Sequence, residues 1–274
     1  SGEILFEGQD LTKISDKEMR QIRGNKIAMI FQDSMTGLDP VMTIGKQIME
    51  TITAHEKISK EEARQKAIEM LKKVGIPSPE QRMKEFPFQL SGGMRQRVMI
   101  AMALSCNASL FIADEPTTAL DVTIQAQIID LMKQLQQQTG TAIILITHDL
   151  GVVADIAQRI CVMYSGKIVE CGSARDIFYR PRHPYTLALL SSVPRLDLKN
   201  KQELVTIDGT PPDLLQPPAG CPFCTRCKYC MPICRDEMPA ETDFGSGHLA
   251  ACWLHDARAP SVDAPLYDEK ETEK

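Results

Sequence analysis

One stretch of the chain, from Leu90 to Asp121, places three kinds of chemistry in a fixed order. Ser91-Gly92-Gly93 forms a glycine turn that opens a helix, and the free N–H groups at a helix start attract anions. An apolar run then ends in the paired carboxylates Asp114 and Glu115, which suit a hard metal ion and a general base. A turn ending at Asp121 starts another helix, which Gly140 is predicted to end. This combination of a phosphate site, a Mg²⁺ site and a base indicates nucleotide hydrolysis.

Two further strand ends carry polar side chains. Lys26–Phe31 is predicted to be a buried strand followed by Gln32, and Ala142–Thr147 an apolar strand followed by His148. Unbroken apolar runs are typical of strands covered on both faces, so we expect a sheet with both faces covered. Ligands of α/β sheets bind beyond the carboxyl ends of the strands. Gln32 and His148 are therefore placed to reach a ligand, although each could instead be a structural strand-end residue.

Composition and charge exclude some classes of protein. The chain has 274 residues, of which 43% are hydrophobic, which supports a real core. The formal net charge of −5 argues against nucleic-acid binding through overall charge. No apolar run is long enough to span a membrane, and no leader follows Ser1, so we expect no export signal. Any membrane association is then expected to come through partners.

Four motifs in order carry a family resemblance. They are LSGG at Leu90–Gly93, the strand ending in Asp114 and Glu115, the ALD turn ending at Asp121, and His148 after the next strand. Together they resemble the ABC-transporter ATPase. The resemblance covers residues 2 to about 253. It implies an α/β fold, with a P-loop-NTPase-like ABC ATPase core, an inserted helical subdomain and an irregular Cys/Pro-rich C-terminal extension.

The resemblance also implies roles for single residues. Asp114 would hold Mg²⁺ as the Walker B aspartate does, and Glu115 would be the general base. Gln32 matches the Q-loop glutamine, a Mg²⁺ ligand and nucleotide sensor, and His148 matches the switch histidine that contacts the γ-phosphate. Residues that would serve ATP held by the opposite subunit are Ser91, Gly92 and Gly93 of the signature and Asp121 of the D-loop.

In this family two ATPase domains enclose two nucleotides, and each site combines one domain's phosphate loop with the other's signature. The expected partners are therefore a second ABC ATPase subunit, in a homo- or heterodimer, and two membrane-spanning permease subunits. A substrate-binding protein would take part indirectly, and no nucleic acid is expected. The expected location is peripheral, on the cytoplasmic face of the cell membrane.

One ABC motif does not occur in these residues. The phosphate loop G-x-x-x-x-G-K-S/T, whose lysine and backbone hold phosphates, would precede the strand matched by Gly2–Gly8. The aromatic residue that stacks on adenine is missing too. We therefore expect the chain as numbered to be an N-terminally incomplete copy that binds ATP poorly and hydrolyses none unaided.

The chain between the strands and the signature reads as helical. A capping box at Ser59–Glu62 and a terminating Gly75 bound one amphipathic helix. Arg95 and Arg97, near the start of the signature helix, indicate either anion contacts or a solvated face.

The predicted domains are the ATPase core (1–42 and 88–180), the helical subdomain (43–87), the C-terminal extension (181–254) and a disordered tail (255–274).

The extension after residue 180 differs in composition. Ten of the 17 prolines lie between Pro181 and Pro239, which predicts an irregular segment fixed by something other than a core. His183–Thr186 (HPYT) resembles the oligopeptide/dipeptide branch of the ABC family. Six of the nine cysteines lie between Cys221 and Cys252, and without an export signal such clustering indicates a metal or cluster site.

Two sets of cysteine ligands are open. Cys224, Cys227, Cys230 and Cys234 have the compact ferredoxin spacing. Cys221, Cys227, Cys234 and Cys252 match the C-terminal pattern of dipeptide-permease ATPases, which resembles 4Fe-4S sites; this wide set is favoured. Zinc is the alternative metal, and a disulfide framework is less expected. The remaining thiols, Cys106, Cys161 and Cys171, are predicted to be core residues.

The resulting hypothesis is an ATP-binding and ATP-hydrolysing subunit that energises ABC import of dipeptides or oligopeptides. Its cofactors would be ATP, Mg²⁺ and a 4Fe-4S cluster. The alternatives are a soluble ABC ATPase of another process, or a redox- or metal-sensing module on a catalytically incomplete ATPase scaffold.

Overall fold

The computed structural model of the chain describes residues 2–32, 37–106, 108–118, 120–192 and 206–260. Contacts divide the chain into two compact units, residues 1–148 and residues 149–274. Ala119 of the ALD turn and residues 261–274 of the predicted tail lie outside the described residues.

The described residues of the first unit form two sheets and a set of helices. Its strands are β1 (Leu5–Phe6), β2 (Gln9–Asp10), β3 (Ile27–Ile30), β4 (Leu110–Asp114) and β5 (Ala142–Ile146). Its α-helices are α1 (Asp16–Ile22), α2 (Ile44–His55), α3 (Lys60–Lys73), α4 (Pro79–Arg82), α5 (Gly92–Leu104) and α6 (Val122–Thr139). A 3₁₀ turn at Pro87–Gln89 precedes the signature helix α5.

Local sequence signals explain where the helices of this unit begin and end. Ser15 and Ser59 each cap a helix: the serine hydroxyl accepts from the backbone N–H of the glutamate three residues on. The carboxylate of that glutamate accepts in turn from the backbone N–H of the serine, which completes a capping box. The predicted box at Ser59 is therefore confirmed. Helix α6 begins at the N-cap Asp121 and ends at Gly140, whose φ of 69° is left-handed, as the sequence predicted.

The central sheet of the first unit has the order β3-β4-β5, and both pairings are parallel. Its inner face is packed: Ile30, Phe111 and Ala113 are buried. The other face is not covered by described residues, and Ile144 and Ile146 are 49% and 47% exposed. The prediction that both faces are covered is therefore wrong within the described ranges. An apolar run alone does not state what lies above it.

The second unit carries an antiparallel sheet of order β6-β7-β9-β8. Its strands are β6 (Arg159–Tyr164), β7 (Lys167–Ser173), β8 (Glu241–Asp243) and β9 (Leu249–Ala251). Its α-helices are α7 (Leu150–Ile156), α8 (Ala174–Tyr179), α9 (Pro184–Ser191) and α10 (Ile233–Asp236). Two 3₁₀ turns lie at Cys224–Arg226 and Trp253–His255.

The second unit has its own core. Phe223 is 2% exposed and makes ring contacts with Tyr164 and Tyr185, at centroid distances of 5.2 and 5.3 Å. Strand β9 also joins this part of the chain to the sheet through β7. The expectation of an extension without a core is therefore wrong. The aromatic residues of this core are few and widely spaced in the sequence, so no periodic pattern predicts the core.

Candidate functional site

The parallel sheet brings three predicted site residues to one edge. Ala113 of β4 lies opposite both Ile30 of β3 and Leu145 of β5. Gln32 and Glu115 follow this level by two residues, and His148 follows it by three. The carboxyl ends of the three strands therefore present these side chains at one edge, where α/β sheets bind ligands.

Glu115 is held in an uncommon backbone conformation at this edge. Its φ is +46°, in the left-handed region that non-glycine residues rarely adopt. Its N–H donates to the carbonyl of Ile146 at 2.9 Å, so it remains tied to β5. Such strain is concentrated at functional sites, because the surroundings must hold the residue in place.

Two side chains bind the carboxylate of Glu115. The Thr118 hydroxyl donates to Oε2 at 2.6 Å, and His148 Nδ1 lies 3.0 Å from Oε1. These bonds, with Thr118 the larger cause, lower the pKa of Glu115 below its ordinary range. Glu115 is therefore ionised at neutral pH, which is the state a general base requires.

Thr118 was not singled out in the sequence. A threonine three residues after a glutamate in a turn is a weak signal, because hydroxyls often bond locally in turns. Its role becomes visible only when the turn after β4 closes with Thr118 N–H donating to the Glu115 carbonyl at 3.2 Å.

The two proposed metal ligands lie at the same edge. Asp114 is the last residue of β4, is partly exposed and pairs with Ile146 in register. Gln32 is exposed, two residues beyond the end of β3. Carboxylate and amide oxygens are ligands that Mg²⁺ accepts, so the chemistry of both side chains fits that ion.

The signature residues form the start of helix α5. Ser91 is the N-cap, and its hydroxyl accepts from the Met94 N–H at 3.3 Å. The same hydroxyl keeps its own proton to donate, and the N–H groups of the first helical turn, including Gly92 and Gly93, have no intrahelical acceptor. The site is thus a helix N-terminus suited to an anion.

The start of α5 packs against the start of α6. A Cβ built on Gly93 would lie 2.8 Å from Ile124 Cγ2, so a larger residue here would force the two helices or Ile124 to shift. Asp121 caps α6 by accepting from the Ile124 N–H at 2.9 Å. The structure therefore brings the predicted signature and D-loop residues together. Both Ser91 and Asp121 are exposed.

The two arginines of α5 have structural partners. Arg95 donates to the Leu90 carbonyl at 2.7 Å, and Arg97 donates to the Val74 carbonyl at 2.7 Å and to Gln127 at 2.8 Å. Both side chains are therefore hydrogen-bonded within the protein. Neither of the two alternatives from the sequence, anion contacts or a solvated helix face, predicted these bonds.

The second unit holds a cavity lined by cysteines. All four cysteines of the wide set line it together with Cys224, whereas Cys230 of the compact set does not. The cysteines of the wide set are Cys221, Cys227, Cys234 and Cys252. The backbone also ties the set, because Cys221 N–H donates to the Cys234 carbonyl at 2.8 Å.

These thiols are strongly affected by burial. Burial raises the pKa of Cys221 and of Cys252 to about 11 and that of Cys227 to about 12. Neighbouring cysteines add to each shift. The three groups are therefore protonated thiols at neutral pH. In the described ranges, no group of three or more His, Cys, Asp or Glu residues is arranged to hold a metal ion.

The other thiols do not behave alike. Cys106 is buried, and its pKa is raised by burial, as expected of a core residue. Cys171 is buried as well, but Cys161 is exposed. The prediction that Cys161 is a core residue is wrong, because alternation along β6 directs it away from the packed face.

A buried polar network holds the HPYT segment. The carboxylate of Glu170, which is 1% exposed, accepts from the N–H groups of Arg182 and His183 at 2.7 and 2.9 Å. His248 Nε2 lies 2.8 Å from the same carboxylate. His183 caps helix α9, and burial lowers its pKa to about 4. A single glutamate of β7 therefore fixes where α9 begins.

None of the helices in the described ranges combines the length and apolar character needed to cross a membrane.

The sheet edge and signature turn define a class of protein, the ATP-binding cassette. The chain resembles a dimeric cassette solved in a post-hydrolysis state with ADP and Pi, with a TM-score of 0.58 and 31% identity. That match covers 64% of this chain and 74% of the other. A second match is cbiO1 from Clostridium perfringens, part of the ABC transporter complex cbiONQ, with a TM-score of 0.57 and 28% identity. It covers 66% of this chain and 69% of that one.

Sequence comparisons define the family more closely. Residues 1–118 match the ABC transporter model, and residues 169–234 match the oligopeptide/dipeptide transporter, C-terminal region. The dipeptide transport ATP-binding protein DppD of Bacillus subtilis is 57% identical, over 94% of this chain and 77% of that protein. The oligopeptide transport ATP-binding protein OppD of Salmonella typhimurium is 51% identical, over 92% and 75%. The chain therefore belongs to the dipeptide/oligopeptide branch of the ABC-transporter ATPase family.

Proposed function

We propose that this chain is the subunit that binds and hydrolyses ATP to energise the import of dipeptides or oligopeptides. The observation that carries the proposal is the ionised carboxylate of Glu115, held by Thr118 and His148 beside Asp114 at the sheet edge. The names of the relatives, which are dipeptide and oligopeptide transport ATP-binding proteins, give the substrate class.

The proposed chemistry follows from the geometry of this edge. Glu115 accepts a proton from the water that attacks the γ-phosphate of ATP, because its carboxylate is ionised and oriented by two side chains. His148 keeps Oε1 in place and, with a side chain 78% exposed, can also reach the phosphate. Asp114 and Gln32 would hold Mg²⁺, which neutralises phosphate charge when bound.

The signature turn serves a nucleotide held by a second ATPase subunit. Ser91 and Asp121 are both exposed, and the glycine turn presents hydroxyl and N–H donors outward. Donors of this kind stabilise the charge that develops on a transferring phosphoryl group. Ser91, Gly92, Gly93 and Asp121 are thus assigned to the partner's site, in a homo- or heterodimer.

The remaining expectations follow from the same role. The domains are assigned as an ATPase core (1–42 and 88–180), a helical subdomain (43–87), an extension (181–254) and a tail (255–274). The helical subdomain would contact two permease subunits, so the protein would lie at the cytoplasmic face of the membrane. A substrate-binding protein would deliver the peptide and would not touch this chain.

A substitution at Glu115 tests the hydrolysis step. In the full-length gene product, Glu115→Gln should bind ATP, yet lower its turnover by 10²- to 10⁴-fold, as loss of a general base does. Glu69→Gln, an exposed glutamate on α3, is the matched control and should keep wild-type turnover. Unchanged turnover in Glu115→Gln would remove this residue from the base role.

We also propose that the cysteine cavity binds an iron–sulfur cluster. Four buried or partly buried thiols around one space match the donors that a 4Fe-4S cluster needs. The ligands would be Cys221, Cys227, Cys234 and Cys252. When bound, the cluster would cross-link these segments, and binding would release the thiol protons.

Iron and sulfide analysis of anaerobically purified protein tests the cluster. We expect iron and sulfide in Cys230→Ser, because Cys230 does not line the cavity, and we expect them to be lost in Cys221→Ser. Loss of iron in Cys230→Ser but not in Cys221→Ser would favour the compact set. A colourless protein that contains zinc would contradict the cluster proposal and favour the zinc alternative.

A further inference from the structure

Two cysteines outside the cavity face each other across the hairpin of β6 and β7. Cys161 and Cys171 are directly paired residues in the antiparallel register. Their Sγ atoms lie 2.7 Å apart. Cys161 is exposed, and Cys171 is buried. One thiol of the pair is therefore open to a reagent in solution, and the other is within reach of the first.

The backbone of the hairpin meets the requirements of a disulfide. Directly opposed residues in an antiparallel pair have Cα atoms about 4.5–5.5 Å apart, and disulfides span about 4.4–6.8 Å. A sulfur–sulfur bond is about 2.0 Å long. The two sulfur atoms, now 2.7 Å apart, therefore need to approach by only about 0.7 Å. Side-chain rotation provides that movement without a change in strand pairing.

We propose that Cys161 and Cys171 are a covalent modification site, which forms a cross-strand disulfide by exchange with a small-molecule disulfide. The thiolate of Cys161 attacks one sulfur of the reagent, and a mixed disulfide forms as one small thiol leaves. The thiolate of Cys171 then attacks the Cys161 sulfur, and the second small thiol leaves. The protein loses two electrons and two protons, and the reagent becomes two thiols.

The order of the two steps follows from exposure. Only Cys161 can meet the reagent first, whereas Cys171 is positioned to resolve the mixed disulfide. Although Cys161 is exposed, partial burial of its thiol and the neighbouring Cys171 raise its pKa to about 11. The Cys161 thiolate is therefore scarce at neutral pH, so the first step is slow. The second step is fast because the two sulfur atoms already lie close together. The mixed disulfide does not accumulate while Cys171 is present.

The bond would hold a hairpin that organises the rest of this unit. Cys171 directly follows Glu170, whose carboxylate fixes the backbone of Arg182 and His183. On its other edge, β7 pairs with β9 at Cys171 and Leu249. A disulfide at this position would therefore resist separation of β6 from the strand that anchors α9.

Peptide mapping tests the proposal on the full chain. Trypsin cleaves after Arg159, Lys167 and Arg175, so Cys161 and Cys171 fall on two peptides, 160–167 and 168–175. After hours with glutathione disulfide at pH 8, we expect these two peptides to be recovered as one cross-linked species. Its mass should be their sum less two hydrogen atoms, and dithiothreitol should separate it. Recovery of both peptides as free thiols would overturn the proposal.

Single variants test the order of the steps. Cys171→Ser should trap the mixed disulfide, so peptide 160–167 gains one glutathione. Cys161→Ser should leave Cys171 unmodified, because its thiol is buried. Buried Cys106 is the internal control and should stay reduced. A glutathione adduct on Cys171 in Cys161→Ser, or a bond between Cys161 residues of two chains, would contradict the mechanism. None of these readouts depends on ATP hydrolysis or on the cluster.

Discussion

The two units of this chain differ in whether their main polar groups are exposed or buried. In residues 1–148, the polar residues of the proposed ATP site lie at the surface: Ser91, Asp121 and Gln32 are exposed. In residues 149–274, the polar network of Glu170, His183 and His248 lies inside, and each of these residues is at most 4% exposed. The first arrangement suits ligands that come from outside the chain. The second stabilises the unit itself.

This contrast separates the effects of substitutions. Changes at the exposed sheet edge should alter activity with little effect on stability, because few buried contacts are lost. Changes in the buried network should alter stability, because they leave polar groups without partners in a medium of low dielectric constant. The following experiments test that separation, from the largest expected effect to the smallest.

Glu170→Ala should have the largest effect on stability. It removes the acceptor of two buried N–H groups and the partner of His248. Leaving the buried partners of such a side chain unsatisfied lowers the free energy of unfolding by about 3–5 kcal/mol. Urea unfolding measures the change, and Glu241→Ala, an exposed glutamate on β8, is the control. A loss of less than about 1 kcal/mol would show that the network does not hold the unit together.

In the full-length gene product, His148→Ala should lower ATP turnover by about 100-fold, as loss of one group that stabilises the reacting phosphate does. Its side chain is 78% exposed, so the free energy of unfolding should stay within about 0.5 kcal/mol of wild type. Steady-state kinetics and urea unfolding of one preparation provide both values. A large loss of stability with unchanged turnover would reverse the contrast between the two units.

Acid should destabilise the second unit through His183. The pKa of His183 in the folded chain is about 4, below its ordinary value of 6.5, because burial penalises the charged form. The unfolded state therefore takes up the proton first, and stability falls as the pH drops through 6.5. The loss is about 1.4 kcal/mol for each pH unit between those values.

Urea unfolding at pH 7 and pH 5 measures the effect of His183. The matched variant is His183→Asn, which keeps a side-chain acceptor for the Tyr185 N–H but does not titrate. We expect the drop in stability between the two pH values to be smaller in the variant. Equal drops in both proteins would mean that His183 does not contribute.

Asp121→Ala should have a small effect on stability. It removes the N-cap of α6, which costs about 1 kcal/mol. Asp121→Asn keeps an acceptor and should restore most of the loss. If Asp121 also serves the partner subunit, ATP turnover of the full-length gene product should fall in both variants. Turnover equal to wild type in both would limit Asp121 to capping.

The sequence predicted best what depends on neighbouring residues. The capping box at Ser59 and the helix end at Gly140 involve groups within a few positions, and the structure confirms both. The strand ends before Gln32 and His148 also predicted that these residues are placed to reach a ligand. Parallel pairing then requires Gln32, Glu115 and His148 to meet at one edge of the sheet.

The sequence did not predict features that depend on distant chain segments. The contact between His148 and Glu115 joins residues 33 positions apart, and it needs the left-handed φ of Glu115. The exposed face of β5 depends on what packs above it, which an apolar run does not encode. The apolar neighbours of Cys161 predict a core residue, but the alternation of side chains along β6 directs Cys161 outward.

The central claim is that the exposed residues of the first unit serve a nucleotide shared with a second subunit. Light scattering of the full-length Glu115→Gln protein tests this claim most directly, because that variant should retain ATP. We expect its molecular mass to about double in Mg²⁺-ATP, by itself if the dimer is homomeric or with the second ATPase subunit present if it is heteromeric. The double variant Glu115→Gln/Ser91→Arg should keep the mass of one chain. A chain that hydrolyses ATP at a wild-type rate while remaining a single chain in saturating ATP would contradict the account.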